Sequence, residues 1–516
     1  MGTFSRLKIV NEPPSRISKP QSYQSLQKKA QQRILDDRPC VDRFIPPISL
    51  LYDGFGVFHD VIHERCKVSG EDSIHEAKLW NKVNAFADRM AEFYEAEAAR
   101  RDIVLNHLDE IFRARRDTVA EGWNIKASRI GSRQITSDGH LDGAHGAMVF
   151  CIECKNELSG ISCEPSAELV SYIASSFNER LKGKDRALFH MWRVPALGMT
   201  QIGECRSCAP CLHPLTGCLG AFVQFLGVVM LAPHIRVVPL TPMLPLATPI
   251  NDEGSRHRVF LAFKAASIVL AKIQADVSKF VQESRPEIPL ALREFPSVTG
   301  IKADPQLSSP PLRIDFTLLR RYDTEVDYRH LYHAQVASTK EEIYVKFTPR
   351  YSPELHRFCA NKGFAPKLLG FEQLSGGWFA VAMEKVDVVD PREIESFSEL
   401  DDWREGIWKL VSSFHQQNLV HGDLRLANFI FTKESPRRML LVDFDWGGGV
   451  GNVYFPRGEL TEELCVKDDE GDCLDRLITV GDDDRVLAMT FEKLERIATE
   501  RGWTRKDIDT DSIGNI

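Results

Sequence analysis

The sequence predicts an α+β protein built from several domains. Its 516 residues exceed what one hydrophobic core usually serves, so two or three domains are expected. Between positions 73 and 112, apolar residues recur three and four positions apart, which is the period of amphipathic helices. From 123 to 249, short apolar runs alternate with glycine and proline, a pattern typical of strands. The fold class is therefore a helical N-terminal region followed by domains that contain β-sheet.

The composition is that of an ordinary folded protein. Apolar residues make up 43% of the chain and charged residues 27%, so large buried cores are available. The formal net charge is −8, from 65 Lys and Arg against 73 Asp and Glu. This mildly acidic balance argues against a surface that coats nucleic acid, although one basic groove is compatible with the average.

No targeting segment is recognisable at the N-terminus. Residues 1–45 are rich in proline and polar residues, and Arg6 occupies the position where a myristoylation signal needs Ser or Thr. The most apolar run, 219–233, is too short for a bilayer and contains Gly227. We therefore expect an intracellular protein, cytoplasmic or nuclear, without a membrane partner.

Changes in composition divide the chain into six segments. We expect a poorly ordered N-terminus (1–45), a helical region (46–122), a strand-rich domain (123–250), a connector helix (255–284), a C-terminal domain (286–495) and a tail (496–516). The connector is predicted from apolar residues that step by three and four from Val259 to Phe280. Prolines 286, 289 and 296 mark the boundary that follows it.

The clearest chemical signal is the run from His421 to Asn428, HGDLRLAN, followed by LVDFDW from Leu441. Phosphoryl transfer needs one carboxylate to orient the attacking hydroxyl, and an amide and a second carboxylate to hold the metal against the phosphates. Asp423, Asn428 and Asp443 supply these groups in that order. The alternative is a strand–loop–strand segment whose Asp and Asn residues only cap turns.

This order resembles the catalytic and metal-binding loops of the protein-kinase-like superfamily. Gly422 stands where most protein kinases carry the arginine that reads a phosphorylated activation loop, and Asp445 stands where the D-F-G glycine would be. Together, H-G-D-x-R-x-x-N and D-F-D-W resemble the C-terminal domain of fungal and oomycete Crinkler-type proteins.

The resemblance implies a bilobal phosphotransferase domain that uses ATP and Mg²⁺. Asp423 would accept the proton of the acceptor hydroxyl, and Asn428 and Asp443 would hold the metal. Arg425 would lie near the γ-phosphate, and His421 would support the loop.

The same resemblance assigns upstream residues to nucleotide binding. Lys346 ends the alternating strand 341–347, in the place of the lysine that neutralises the nucleotide phosphates, and Glu354 is its candidate partner. Glu384 and Val386 follow the next strand, where backbone groups would meet the adenine edge. The alternative for Lys346 is a solvent-facing strand residue.

One expected part of a kinase is missing from the sequence. No G-x-G-x-x-G occurs between 314 and 342, where a loop should close over the phosphates, and we expect only a turn from Arg329 to Thr339. Its absence leaves a catalytically inactive pseudokinase open as an interpretation.

A second group of candidate residues lies in the strand-rich domain. Asp138 precedes a predicted hairpin, with Asp142 as the second choice, and Glu153 and Lys155 end the apolar strand 148–156. Because side chains alternate along a strand, Glu153 and Lys155 share one face. Two carboxylates and an ammonium there could hold a divalent metal and orient a water against a phosphodiester. The alternative is an exposed strand with alternating charges.

This second pattern resembles the PD-(D/E)xK restriction-endonuclease-like fold. Crinkler-type proteins place such a nuclease-like domain directly before the H-G-D kinase-like domain, which implies nucleic acid as a further partner. A helix is expected from Glu164 through Tyr172 and Phe177, and Glu168 stands where the family leads us to expect a glutamine.

The twelve cysteines are expected to be reduced thiols, with one notable cluster. Its members are Cys205, Cys208, Cys211, His213 and Cys218. Ligands separated by two residues suit zinc, but the usual distant second pair is missing, so buried or loop thiols are the alternative.

Three functional hypotheses follow. The first is an ATP-dependent kinase fused to a nuclease-like domain; its acceptor is protein Ser/Thr by resemblance, with protein Tyr and small-molecule hydroxyls as alternatives. The second is a metal-dependent DNA nuclease with a kinase-like nucleotide sensor. The third is a binding scaffold in which neither site turns over.

Overall fold

The chain forms two compact units, residues 1–298 with 375–377, and residues 299–374 with 378–516. The computed structural model describes residues 13–29, 34–36, 45–65, 73–92, 94–113, 129–130, 135–155, 164–180, 193–203, 221–231, 234–249, 251–282, 292–307, 312–322, 329–390, 397–434, 436–456, 460–461, 463–464 and 476–502. The cysteine cluster predicted between 205 and 218 lies outside these residues.

The N-terminal unit combines helices with one large sheet. Its described helices are α1 (Pro14–Ile17), α2 (Pro20–Gln27), α3 (Ile48–Leu51), α4 (Asp53–Ile62), α5 (Ser73–Met90), α6 (Glu97–Arg113), α7 (Pro165–Arg180) and α8 (Glu253–Gln282). Its described strands are β1 (Ile34–Leu35), β2 (Arg129–Ile130), β3 (Ile135–Thr136), β4 (Gly139–Asp142), β5 (Met148–Lys155), β6 (Val194–Ile202), β7 (Phe222–Met230), β8 (Ile235–Pro239) and β9 (Leu244–Pro245).

The sheet has the strand order β1-β8-β7-β6-β5-β4, with β9 paired to β7. The β4–β5, β6–β7 and β7–β8 pairs are antiparallel, whereas β5 and β6 are parallel. Parallel neighbours need a crossover connection, and α7 lies in that connection and packs on both strands. The crossover brings the first turns of α7 close to the end of β5.

Part of the N-terminus that was expected to be poorly ordered is structured. β1 pairs in parallel with β8, and Ile17 of α1 is buried. Ile34 and Leu35 are also buried, so removing apolar surface from water stabilises the attachment of this short strand.

Helix α8, predicted as a connector, lies in the core of the N-terminal unit. Phe263 makes edge-to-face contacts with Phe86 of α5 and Phe225 of β7. The helical region, the strand-rich segment and α8 share one hydrophobic core. Although α8 is 30 residues long, none of the helices in the described residues is long and apolar enough to cross a membrane.

The C-terminal unit places a sheet before a largely helical part. Its described helices are α9 (Pro353–Asn361), α10 (Phe397–His415) and α11 (Val480–Glu500). Its described strands are β10 (Gly300–Lys302), β11 (Arg313–Arg321), β12 (His330–Val336), β13 (Glu342–Thr348), β14 (Leu368–Gln373), β15 (Phe379–Glu384), β16 (Val388–Val389), β17 (Leu419–Val420), β18 (Phe429–Thr432), β19 (Met439–Leu441) and β20 (Gly448–Gly449).

The first six strands form an antiparallel sheet in the order β10-β11-β12-β13-β15-β14. Residues 330–336, expected as part of a turn, form strand β12, and the turn itself follows at 337–339. The connection between β11 and β12, residues 323–328, lies outside the described residues.

Local capping fixes where two helices of this unit, α9 and α11, begin. Ser352 caps α9 by accepting a hydrogen bond from the Leu355 N–H, and Pro353 occupies the first helical turn. A capping box between Thr479 and Asp482 starts α11. The buried faces of α10 and α11 share one core with the segments around residues 419–444. The catalytic motifs predicted from sequence therefore lie on a packed helical base.

Candidate active site

A cleft of about 690 Å³ lies in the C-terminal unit. It is lined by residues at the start of β12, on β13, just before β15, and in the segments that follow β17 and β19. They include Arg329, Lys346, Thr348, Trp378, Asp423, Arg425, Asp443, Asp445 and Trp446. Four of the residues predicted to act in phosphoryl transfer, at positions 346, 423, 425 and 443, therefore line one cavity.

Lys346 is bound between two carboxylates. Its Nζ lies 2.5 Å from Asp443 Oδ1 and 2.6 Å from Asp445 Oδ1. Arg329 Nη1 lies 3.0 Å from the other oxygen of Asp443. The suggested pair between Lys346 and Glu354 is not formed, because Glu354 is exposed in the first turn of α9.

These contacts determine the charge of the cleft. Burial acts to lower the pKa of Lys346, but Asp443 and Asp445 outweigh it and raise the pKa above its ordinary value. Burial acts to raise the pKa of Asp443, but Lys346 and Arg329 hold that pKa well below its usual range. For Asp445, burial prevails over the opposing effect of Lys346 and raises the pKa to about 6. Asp443 and Lys346 are therefore both charged at neutral pH.

The carboxylate of Asp423 is oriented by Arg425. Arg425 donates from Nε to Asp423 Oδ1 at 2.5 Å and from Nη2 to Oδ2 at 2.8 Å, a bidentate arrangement. Its Nη1 donates to Thr461 Oγ1 at 3.0 Å. Arg425 was expected near the γ-phosphate; the structure places it on Asp423 within the same cleft.

Asn428 has one amide end fixed and the other unpartnered. Its Nδ2 donates to the Asp423 carbonyl at 2.9 Å, while its buried Oδ1 has no hydrogen-bond partner among the residues that the structure describes. The Val442 N–H donates to the Asn428 carbonyl at 2.9 Å, which ties Asn428 to the residue before Asp443. A free amide oxygen and an ionised carboxylate match Mg²⁺, which takes few protein ligands and retains waters.

Helix α11 holds the backbone of the H-G-D segment through hydrogen bonds. Asp483 accepts hydrogen bonds from the His421 and Gly422 N–H groups, each at 2.8 Å. Gly422 has a φ of +82°, and a Cβ there would lie 2.6 Å from the Ile478 side chain. An arginine in place of Gly422 would therefore be strained.

His421 and Phe444 connect the two motifs. The Asp423 N–H donates to His421 Nδ1 at 3.2 Å, and the His421 ring meets Phe444 edge-on. Burial lowers the pKa of His421, which favours the neutral ring that this contact requires. His421 thus contacts the loop backbone, as its expected supporting role requires.

The residues expected at the adenine edge lie at and beyond the end of β15. The Glu384 N–H donates to the Lys367 carbonyl at 3.0 Å, and Val386 is partly buried. Neither side chain lines the cleft described above.

Sequence reasoning missed Asp445, Arg329 and Asp483, each of which binds a predicted residue of this site directly. Asp445 was noticed only as a departure from a motif, and Arg329 only as one end of a turn. Asp483 lies in a run of three aspartates after Thr479, at the start of α11. That run is a recognisable helix start, but nothing in it indicates that the middle carboxylate binds the catalytic loop.

The second group of candidates meets at the end of β5. Asp138 Oδ2 accepts a hydrogen bond from the Cys154 N–H at 2.8 Å. Lys155 forms ion pairs with Glu153 and with Glu168, the latter at 3.2 Å. Asp142, the second choice, instead lies 3.6 Å from Arg180.

Glu153 is the most buried member of this group. Burial raises its pKa to about 9, and the nearby Asp138 and Glu168 carboxylates add to the effect. Within the described part of the chain, its buried Oε2 has no hydrogen-bond partner. Among the described residues, no three His, Cys, Asp or Glu side chains are arranged to hold a metal. Asp138 and Glu153 are the two carboxyl groups here that could bind Mg²⁺, an ion that takes one or two protein carboxylates and keeps several waters.

Comparison with known proteins gives weak kinase neighbours. No protein-family model and no curated protein matches the chain. Among solved structures, the chain is similar to the Cydia pomonella granulovirus kinase PK-1, with 15% identity, 36% of this chain and 69% of that chain covered, and a TM-score of 0.30. It is also similar to the Rad53 kinase domain and SCD2 in complex with AMPPNP, with 17% identity, 26% and 51% covered, and a TM-score of 0.20. At such TM-scores, a functional assignment depends on the geometry of the cleft.

Proposed function

We propose that the C-terminal unit is a bilobal, ATP-dependent phosphotransferase of the protein-kinase-like superfamily. The observation that supports this most strongly is the pairing of Lys346 with Asp443, 97 positions apart, in a cleft that Asp423 also lines. A cation for phosphates, a base for a hydroxyl and a carboxylate for a metal then lie in one cavity. A protein Ser/Thr hydroxyl is the first acceptor to examine, and a small-molecule hydroxyl is the second.

In the proposed reaction, the acceptor oxygen forms a bond to the γ-phosphorus of ATP while the bond from that phosphorus to the β–γ bridging oxygen breaks and ADP leaves. Asp423 orients the acceptor hydroxyl and takes its proton. An ionised carboxylate offers about four acceptor positions, so the two bonds from Arg425 leave room for that hydroxyl. Asn428 Oδ1 and Asp443 would hold Mg²⁺, whose charge would stabilise the phosphates of ATP. Lys346 has three N–H donors, of which two bind carboxylates, so one is left for a phosphate oxygen.

The experiment is phosphate transfer from ATP to generic protein acceptors, to the protein itself and to small alcohols. We expect transfer by the full-length protein with Mg²⁺, and a loss of roughly ten- to hundredfold in Lys346→Met, because a charge-assisted contact to phosphate is removed. Lys409→Met is the matched control, since Lys409 is exposed on α10.

Two outcomes would contradict this proposal in different ways. A folded protein that binds Mg²⁺-ATP but transfers nothing to any acceptor would be a pseudokinase. A folded protein that does not bind Mg²⁺-ATP would be a scaffold, and the kinase assignment would be withdrawn.

A metal-dependent DNA nuclease in the N-terminal unit is the second candidate. The buried, unpartnered oxygen of Glu153 beside Asp138, with Lys155 on the same strand face, favours it. Asp138 and Glu153 would hold the metal, and Lys155 would contact the phosphodiester.

We expect the full-length protein to cleave plasmid DNA with Mg²⁺, and Glu153→Gln to lower the rate by about a hundredfold, because a glutamine amide cannot ionise to bind the metal as the Glu153 carboxyl would. Glu95→Gln, at an exposed position of the same unit, is the control. Lys346→Met should cleave normally. Intact DNA after incubation with wild type in Mg²⁺ or Mn²⁺ would exclude this activity.

A further inference from the structure

The lysine of the cleft needs a fixed partner, and the expected one is absent. A long, flexible ammonium side chain loses much rotational freedom when it is ordered, so an unheld lysine would meet the phosphates less effectively. Glu354, the sequence-based candidate, is exposed on α9. Another residue must therefore position Lys346.

Asp445 has the contacts that this role requires. Its Oδ1 lies 2.6 Å from Lys346 Nζ, and its Oδ2 lies 2.9 Å from Thr348 Oγ1. Lys346 and Thr348 are two positions apart on β13, so their side chains share one face of the sheet. Both oxygens of Asp445 therefore bind the same strand face.

The backbone that carries Asp445 is also fixed. The Ser352 N–H donates to the Phe444 carbonyl at 3.0 Å, and the Phe444 ring stacks on His356 with centroids 4.6 Å apart. Phe444 is almost fully buried. A carboxylate that follows such a residue has little freedom to move.

We propose that Asp445 is the positioning residue of Lys346, in the place expected for Glu354, and that Thr348 orients Asp445. This inference depends on the proposed phosphotransferase function. It places the lysine partner two residues after Asp443, the proposed metal ligand, on the same short segment. Placement of Lys346 then requires no movement of α9, because no residue of that helix holds the ammonium.

The first experiment compares Asp445→Asn, Glu354→Gln and the control Glu434→Gln, whose side chain is 81% exposed. For Asp445→Asn, we expect the KM for ATP to rise about tenfold with a smaller change in kcat and no change in the acceptor KM, because one charged contact to Lys346 is lost. Glu354→Gln should behave as wild type. Direct ATP binding by calorimetry should weaken by a similar factor.

A second pair of variants separates positioning from general stability. Thr348→Val removes the hydroxyl near Asp445 and should raise the KM for ATP, by a smaller factor than Asp445→Asn does. Thr348→Ser keeps a hydroxyl at this position and should have the wild-type KM for ATP. In the absence of nucleotide, an amine-reactive ester should acylate Lys346 faster in Asp445→Asn than in Glu434→Gln. Peptide mass spectrometry measures the acylated fraction over time.

The outcomes distinguish the two proposals. If wild type neither binds ATP nor transfers phosphate, the phosphotransferase function fails. If wild type is active and Asp445→Asn binds ATP as well as or better than wild type, or if Glu354→Gln alone weakens binding, the role of Asp445 is overturned.

Discussion

Replacing Asp443 by Asn is expected to reduce phosphate transfer by about 10²- to 10³-fold, because the site loses the charge that would hold the metal against the phosphates. Asparagine is the appropriate replacement because Asp443 has a φ of +67°, a conformation that Asn tolerates better than Ala. Lys346 keeps its contact with Asp445, so the cleft should retain its shape. The Mg²⁺ dependence of ATP binding should be largely lost.

The measurement is initial transfer rate against Mg²⁺ concentration, with circular dichroism to match the folded fraction. Asp401→Asn serves as the control, since Asp401 is half exposed on α10. If Asp443→Asn transferred phosphate within about twofold of wild type, Asp443 would not hold the catalytic metal and the mechanism would need another ligand.

The elements around the site could be predicted because their apolar residues follow a regular period. The helix expected through Glu168 and Phe177 is α7, and the alternating strand before Lys346 is β13. The spacing of apolar residues does not specify which other element the apolar face of a helix or strand packs against. Helix α8 has the expected pattern, but only its packing against α5 and β7 reveals a core helix instead of a connector.

The candidate site was predictable where one short segment carries the chemistry. Asp423 and Asn428 lie five positions apart, so the sequence alone placed them in one loop, where a hydrogen bond from Asn428 Nδ2 to the Asp423 carbonyl joins them. The residue that holds Lys346 could not be predicted from the sequence. Which side chain reaches the ammonium group depends on the distance between α9 and β13 in the folded chain. The residue that follows Phe444 reaches the lysine, and Glu354 does not.

Asp483 illustrates a stronger limit on prediction from sequence. It lies 61 positions beyond Gly422, outside both motifs, yet it binds the backbone of the H-G-D segment directly. Thr490, also on α11, donates to the Leu424 carbonyl at 2.8 Å. Backbone groups carry no sequence signature, so a side chain that binds N–H or C=O groups far away in the sequence cannot be identified before the chain is folded.

Replacing Asp483 by Asn is expected to lower the free energy of unfolding by about 3 kcal/mol, because buried N–H donors lose a charged acceptor. The Asp483 side chain is fully buried and accepts from the His421 and Gly422 N–H groups, and it also contacts His415 Nε2 at 3.1 Å. The Asp483 carboxylate is thus surrounded by two backbone N–H groups and one imidazole nitrogen. An asparagine would turn its own amide donor toward one of them, and the loop that carries Asp423 would shift.

Asp484→Asn is the matched control, because Asp484 is the next residue of α11 and its side chain is 48% exposed. Urea unfolding should show the loss for Asp483→Asn only, and phosphate transfer below its unfolding midpoint should fall while ATP binding is retained. Such a separation would locate the defect in the position of Asp423, since Lys346 and Asp443 belong to segments that Asp483 does not contact. Equal stability of the two variants would mean that the catalytic loop is held by its other contacts, chiefly Thr490 and the packing of Leu424.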